Sequence, residues 1–154
     1  MFHRWAALVL VLALCAMSPK YAAGQTSSSR GHSARGRVGA NYPNPFNPDT
    51  KIPFSIDGCA SPTETHVVTV RLVNILAQPV AFPLLLTGSG GTSVSSSLAG
   101  KQVLNLTLPC GDYVAYWDGK VSATGREAPS GPYGVEVFVD NVKQPGTQKI
   151  FHSK

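Results

Sequence analysis

Charge is scarce in this chain of 154 residues, at 14%, and cysteine occurs only three times. So little charge, among many Gly, Pro, Ser and Thr and frequent Val, suits a small β-rich extracytoplasmic module better than a cytosolic enzyme. Acidic residues are missing altogether before Asp49, while Arg4, Lys20, Arg30, Arg35 and Arg37 fall in that front third. The formal charge of +5 therefore sits mostly at the front, and beyond it the two signs nearly balance. With no basic stripe interleaved with aromatics, a nucleic-acid surface is not indicated. Helical periodicity is missing everywhere after residue 24. HExxH, GxSxG, Walker and Rossmann patterns are missing too, so no catalytic, metal or cofactor residue is assigned.

Residues 1–24 read as a secretory signal. His3 and Arg4 precede an unbroken apolar run from Trp5 to Met17, and Ala22, Ala23 and Gly24 offer small residues for cleavage. As a helix the run spans roughly 20 Å, short of the ~30 Å hydrocarbon core. An uncleaved anchor is the competing reading. Lipidation at Cys15 is disfavoured because Leu14 stands where a small residue belongs. With the signal removed, Cys59 and Cys110 remain, and an even pair in an oxidising compartment points to a disulfide. Two free, partly buried thiols are the alternative. Residues 25–40 hold Ser, Gly and Arg with Val38 as the one large apolar side chain, which predicts a flexible linker. Arg30, Arg35 and Arg37 are candidates for an anionic membrane surface at about 1 kcal/mol each; a solvated tether is the plainer reading.

The stretch Asn41-Tyr42-Pro43-Asn44-Pro45-Phe46-Asn47-Pro48 opens the domain, residues 41–154. Its prolines remove backbone donors and bias each preceding residue toward extended geometry, so it is neither helix nor central strand. Tyr42 and Phe46 are expected to peg it down by burial. Beyond it come about seven short strands. Residues 50–56 alternate with Ile52, Phe54 and Ile56 inward, and Pro53 predicts a sheet edge or bulge. Residues 66–75 place Val68, Val70 and Leu72 inward, and 80–86 read as a strand interrupted at Pro83. The Gly- and Ser-rich segment Thr87 to Gly100 reads as a loop or a hairpin tip around Val94, and contact surface or plain loop stays open. Strands follow at 101–108, 113–117, 133–139 (Tyr133, Val135, Val137 and Val139 inward) and 148–151, with Asp140-Asn141 as a turn. The whole reads as an all-β sandwich.

Histidines give little. His3 and His32 lie before the domain, His152 near the terminus, and His66 reads as an exposed strand residue. Asp118-Gly119 reads as a turn and Trp117 as core. A calcium cluster of Asp112, Asp118 and Asp140 lacks a spaced oxygen-ligand loop. A small hydrolase would require Asp112, Asp118 and His66 to converge.

Four ordered segments carry a resemblance. The opening Asn41 to Ile56, residues 68–80 (VTVRLVNILAQPV), residues 108–120 (LPCGDYVAYWDGK) and the pair Gly125-Arg126 with Ser130-Gly131-Pro132-Tyr133 resemble the immunoglobulin-like modules at the C-termini of secreted bacterial proteins. These include type A sorting domains of the type IX secretion system and the module of the flagellar hook-capping protein. The resemblance implies an immunoglobulin-like sandwich whose structural motif residues are Asn41, Pro43, Asn44, Pro45, Phe46, Asn47, Pro48, Trp117, Asp118, Gly119, Gly131 and Tyr133. Departures are Ala77 for the turn glycine, Val73 for an aromatic, the 87–100 insert and the cysteine pair. Ala77 means either that the turn needs no left-handed residue there or that it is rearranged. A sorting domain follows an enzyme or adhesin, whereas this module is read as nearly the whole mature chain. The expectation is a non-catalytic exported interaction module, an accessory or structural subunit on the periplasmic face of a membrane complex (respiratory, photosynthetic or secretory). The alternative is a surface-sorting or anchoring module.

Overall fold

The computed structural model describes residues 33–86 and 94–154; the expected signal, Arg30 and residues 87–93 lie outside them. Ten strands and no helix occur among the described residues: β1 (Arg35–Val38), β2 (Thr50–Asp57), β3 (Thr65–Val73), β4 (Pro79–Ala81), β5 (Leu84–Leu85), β6 (Leu106–Pro109), β7 (Gly111–Trp117), β8 (Gly131–Val139), β9 (Val142–Lys143) and β10 (Gln148–His152). One antiparallel sheet has the order β1-β2-β7-β5. The other has the order β10-β8-β3-β4, with β6 on β3 and β9 on β8. Ile52, Phe54, Ile56, Tyr113, Ala115 and Trp117 of the first sheet meet Val68, Val70, Leu72, Tyr133, Val135, Val137 and Val139 of the second in one buried core. The alternation read from the sequence is what makes this sandwich-like pairing of sheets. Each strand presents every second side chain to one face, and those faces are apolar.

Three segments depart from expectation for identifiable reasons. The supposed linker residues 35–38 form β1, antiparallel to β2 from Arg35↔Asp57 to Val38↔Phe54. Val38 packs partly buried against the core, and Gly36 permits the close approach to β8, because a Cβ there would collide with Val137 Cγ1. Pro53 sits in an interior strand, not at an edge. Its carbonyl takes the Gly39 N–H at 2.9 Å on the β1 side, just past the last β1 pair, so the missing donor falls where the ladder ends. The interrupted strand 80–86 changes sheets at Phe82-Pro83, leaving β4 in one sheet and β5 in the other. Residues 101–105 are not strand but lace the sheets together. Val103 N donates to Pro83 O at 2.8 Å and Val103 O accepts from Val70 N at 2.9 Å. Of the 87–100 segment, the described part turns back with Val94 and Leu98 against the core.

Candidate functional site

One end of the sandwich is closed by the opening motif. Tyr42 pairs with Lys51 of the first sheet, and Phe46 bridges to His152 of the second. Phe46 N donates to Phe151 O and Ser153 N to Phe46 O, both at 2.9 Å. The buried Phe46 ring stacks on His152 at 4.9 Å and meets Trp117 at 5.2 Å, and Trp117 meets Tyr133 edge-on at 5.2 Å. Asn41 Nδ2 donates to Thr50 Oγ1 at 2.9 Å and Asn44 Oδ1 accepts from Phe151 N at 3.1 Å. Pro43, Pro45, Asn47 and Pro48 lie exposed, and the three peptide bonds preceding those prolines are cis. Only one of the two aromatic pegs is buried: Tyr42 is 47% exposed. Asp118 Oδ1 accepts from Lys120 N at 3.0 Å, and Gly119 (φ 75°) leaves no room for a side chain against the Pro48 carbonyl. Trp117-Asp118-Gly119 and the opening motif are thus two halves of one contact. Tyr133 OH donates to Pro129 O at 2.6 Å just beyond Gly131, and Tyr113 OH does the same to Pro109 O at 2.6 Å. A tyrosine that reaches back a few residues in this way pins the start of its strand.

Beside this end, on the outer face of the second sheet, lies a trough of about 570 Å³ lined by Val73, Ile75, Ala77, Tyr133, Gly134 and Phe151, among others. Gly134 makes its floor. It stands between Val73 of β3 and Lys149 of β10, where a side chain would press on Thr147 and Val73. The β3–β4 turn forms the rim and is rigid. Asn74 Oδ1 accepts from Leu76 N at 2.9 Å and Gln78 N at 3.0 Å, and Ala77 N donates to Asn74 O at 2.9 Å. Ala77 has φ 58°, so the turn does take a left-handed residue and tolerates alanine there. That turn holds Ile75 and Leu76 at 79% and 71% exposure, with Phe151 at 48% across the trough. Leaving such side chains in water forgoes roughly 1.5–3 kcal/mol each, which a partner would recover. Glu136, which also lines the trough, is buried and held by Arg71 Nε at 2.8 Å and by Lys143 Nζ. Burial raises its pKa, but the two cationic hydrogen bonds outweigh that and leave it lowered. The Arg71 guanidinium also covers Phe138 at 4.4 Å.

The opposite end carries the Cys59–Cys110 disulfide, with Cα atoms 6.2 Å apart. His66 is not exposed, as expected from its place at a strand start, but buried there. Its Nδ1 lies 2.8 Å from Asp140 Oδ2 and its Nε2 3.4 Å from Glu64 Oε1. The hydrogen bond with His66, then that from Val67 N, holds the Asp140 carboxyl below its ordinary pKa. Asp112 and Asp118 stand at opposite ends of β7, about 20 Å apart by strand rise, so neither the hydrolase trio nor the calcium trio assembles. The sequence reading placed His66 on the strand's exposed side and gave no role to His152 or Glu136. The signal for both histidines was parity: His66 falls in step with the inward Val68 and His152 with the buried Ile150. Glu136 had none, since its cover comes from two other strands.

The strand edges are blunted at several points. Gly36 N donates to Gln144 Oε1 at 3.1 Å, Leu85 N to Lys101 O at 2.8 Å, and Ser122 N to Val80 O at 3.0 Å. An outer face therefore offers more to a partner than an edge does. No family model, curated protein or solved structure matches this chain.

Proposed function

We propose that this chain is a non-catalytic, exported protein-interaction module of immunoglobulin-like type that docks through the trough lined by Ile75 and Phe151 and the exposed Leu76 on its rim. It acts as an accessory or structural subunit on the periplasmic face of a membrane or envelope complex. The exposure of two adjacent aliphatic side chains on a hydrogen-bonded, rigid turn carries this reading. A docking face built this way needs little backbone ordering on binding, which leaves chiefly the side-chain rotamer cost against the recovered hydrophobic energy. The disulfide supports an oxidising compartment. Arg35 and Arg37, exposed at alternate positions of β1, supply a basic side for an anionic membrane surface, although Arg37 also meets Asp57 at 3.6 Å. The alternative is a sorting or surface-anchoring module of the type IX kind. The interlocked opening and Trp-Asp-Gly motifs favour it, because they carry the resemblance.

Replacing Ile75 and Leu76 together by serine tests the proposal. Capture of a defined partner from solubilised membranes should fall at least tenfold while the thermal midpoint stays within a few degrees. Undiminished capture by the variant would remove the trough from the interface. Fractionation separates the two readings: membrane-bound periplasm favours the subunit, cell surface or medium the sorting module.

A further inference from the structure

The disulfide end gathers metal-ligating side chains. Cys59 Sγ, Cys110 Sγ and a ring nitrogen of His66 lie within 4.8 Å of one another, the only such His/Cys/Asp/Glu group among the described residues. Asp140 sits 2.8 Å from His66 Nδ1. An ionised carboxylate only accepts, so the proton of the neutral imidazole belongs on Nδ1 and the lone pair on Nε2. That nitrogen is buried and has no hydrogen-bond partner, on a side chain with 10% of its surface exposed. Glu64 Oε1 is 3.4 Å from it. A carboxylate fixing one imidazole nitrogen, with two cysteine sulfurs within reach of the ring, is the arrangement of a zinc site with its supporting carboxylate. In the oxidised chain both sulfurs are committed to each other. An open depression of about 360 Å³ lined by Cys59, Cys110 and Ser61 leads to them.

We propose that the reduced chain binds one zinc ion through Cys59 Sγ, Cys110 Sγ and His66 Nε2, with Asp140 as a positioning residue and a water from the open depression in the fourth position. Reduction by a phosphine breaks the S–S bond and uses one water. The oxygen goes to phosphorus, giving the phosphine oxide, and each sulfur gains a proton. Zinc then releases both thiol protons to solvent and takes lone pairs from two thiolates and Nε2, and the two thiolates neutralise its charge. Zn–S bonds of ~2.3 Å place the sulfurs about 3.8 Å apart. Rotation of the two side chains supplies that separation with the Cα atoms left 6.2 Å apart. Oxidation state thereby selects between a covalent staple and a metal staple at the same place.

The test uses the full chain with Cys15→Ser, so that no third thiol competes. The protein is reduced with a phosphine, freed of metal and titrated with zinc chloride alone; cobalt(II) provides the thiolate charge-transfer absorbance. One equivalent should bind to the reduced chain and none to the oxidised chain. Asp140→Asn should weaken binding about tenfold to a hundredfold. His66→Gln should weaken it further, and Cys59→Ser should abolish the cobalt–thiolate band. Circular dichroism checks the fold of each variant, and Asp140→Asn at an exposed carboxylate decides the matter if His66→Gln unfolds. Less than one equivalent on the reduced chain, or unchanged affinity in Asp140→Asn and His66→Gln, would overturn the proposal.

Discussion

Each end of the sandwich buries one histidine, and the two are held by opposite means. His152 stacks on Phe46 at 4.9 Å with Trp117 at 6.2 Å; its Nδ1 reaches only a backbone carbonyl, Pro129 O, at 3.3 Å. His66 lies between two carboxylates and beside the disulfide. The aromatic end is closed by apolar contact that the opening motif delivers from outside both sheets. The cysteine end is closed by a covalent bond and by the hydrogen bond between His66 and Asp140. Apolar packing is indifferent to redox state and nearly so to pH, whereas the other closure is broken by reduction and gives up the Asp140 hydrogen bonds only as pH falls through that carboxyl's lowered pKa. The difference teaches where this fold is permanent and where it is conditional. It also places the trough lined by Ile75 and Phe151 beside the permanent end.

Removing the peg of the aromatic end is the severest test of that contrast. Phe46→Ala deletes a fully buried ring touching Trp117 and His152, and should cost about 4 kcal/mol in denaturant unfolding. Amide exchange at Ser153, whose N–H is bonded to Phe46 O, should rise with it. A cost below about 1 kcal/mol would mean that the motif decorates the end without closing it. At the other end, Cys59→Ala with Cys110→Ala opens a cross-link spanning 51 positions. Loop-closure entropy gives about 4 kcal/mol for such a span, and typical losses run lower, so about 3 kcal/mol is expected. Protection at Ser153 should fall only by the global amount. A selective loss there would show that the two ends are coupled and would break the comparison.

The contrast also explains what could be read in advance. Alternation at Ile52, Phe54 and Ile56, at Val68, Val70 and Leu72, and at Tyr133 to Val139 gave the strands and their inward faces, because period two reflects one buried face directly. Pairing of Cys59 with Cys110 followed from compartment and count. Illegible features all depend on a third segment. β1 pairs with β2 and lies against β8 only because Gly36 leaves room for Val137, a close approach between residues about a hundred positions apart. Burial of Glu136 needs Arg71 and Lys143 from two other strands. His66 carried its parity in the sequence, but only the fold brings Asp140 to it. The trough, likewise, is visible only once Val73, Gly134 and Lys149 line up in register.

The smallest expected effect concerns the turn at the rim of that trough. Ala77 holds φ 58°, a conformation that costs an L-residue roughly 1–2 kcal/mol. Glycine removes that cost but adds about 0.5–1 kcal/mol of unfolded-state entropy. Ala77→Gly should therefore stabilise by about 0.5–1 kcal/mol, read as a rise in the thermal midpoint with no change at the cysteine end. If the midpoint does not move, the Asn74 hydrogen bonds already shape the turn so that alanine fits without cost. If it rises while partner capture weakens, the strain serves the docking face. An alanine methyl beside Ile75 would then add apolar contact to the trough wall, and the chain would be trading stability for a surface that only a partner completes.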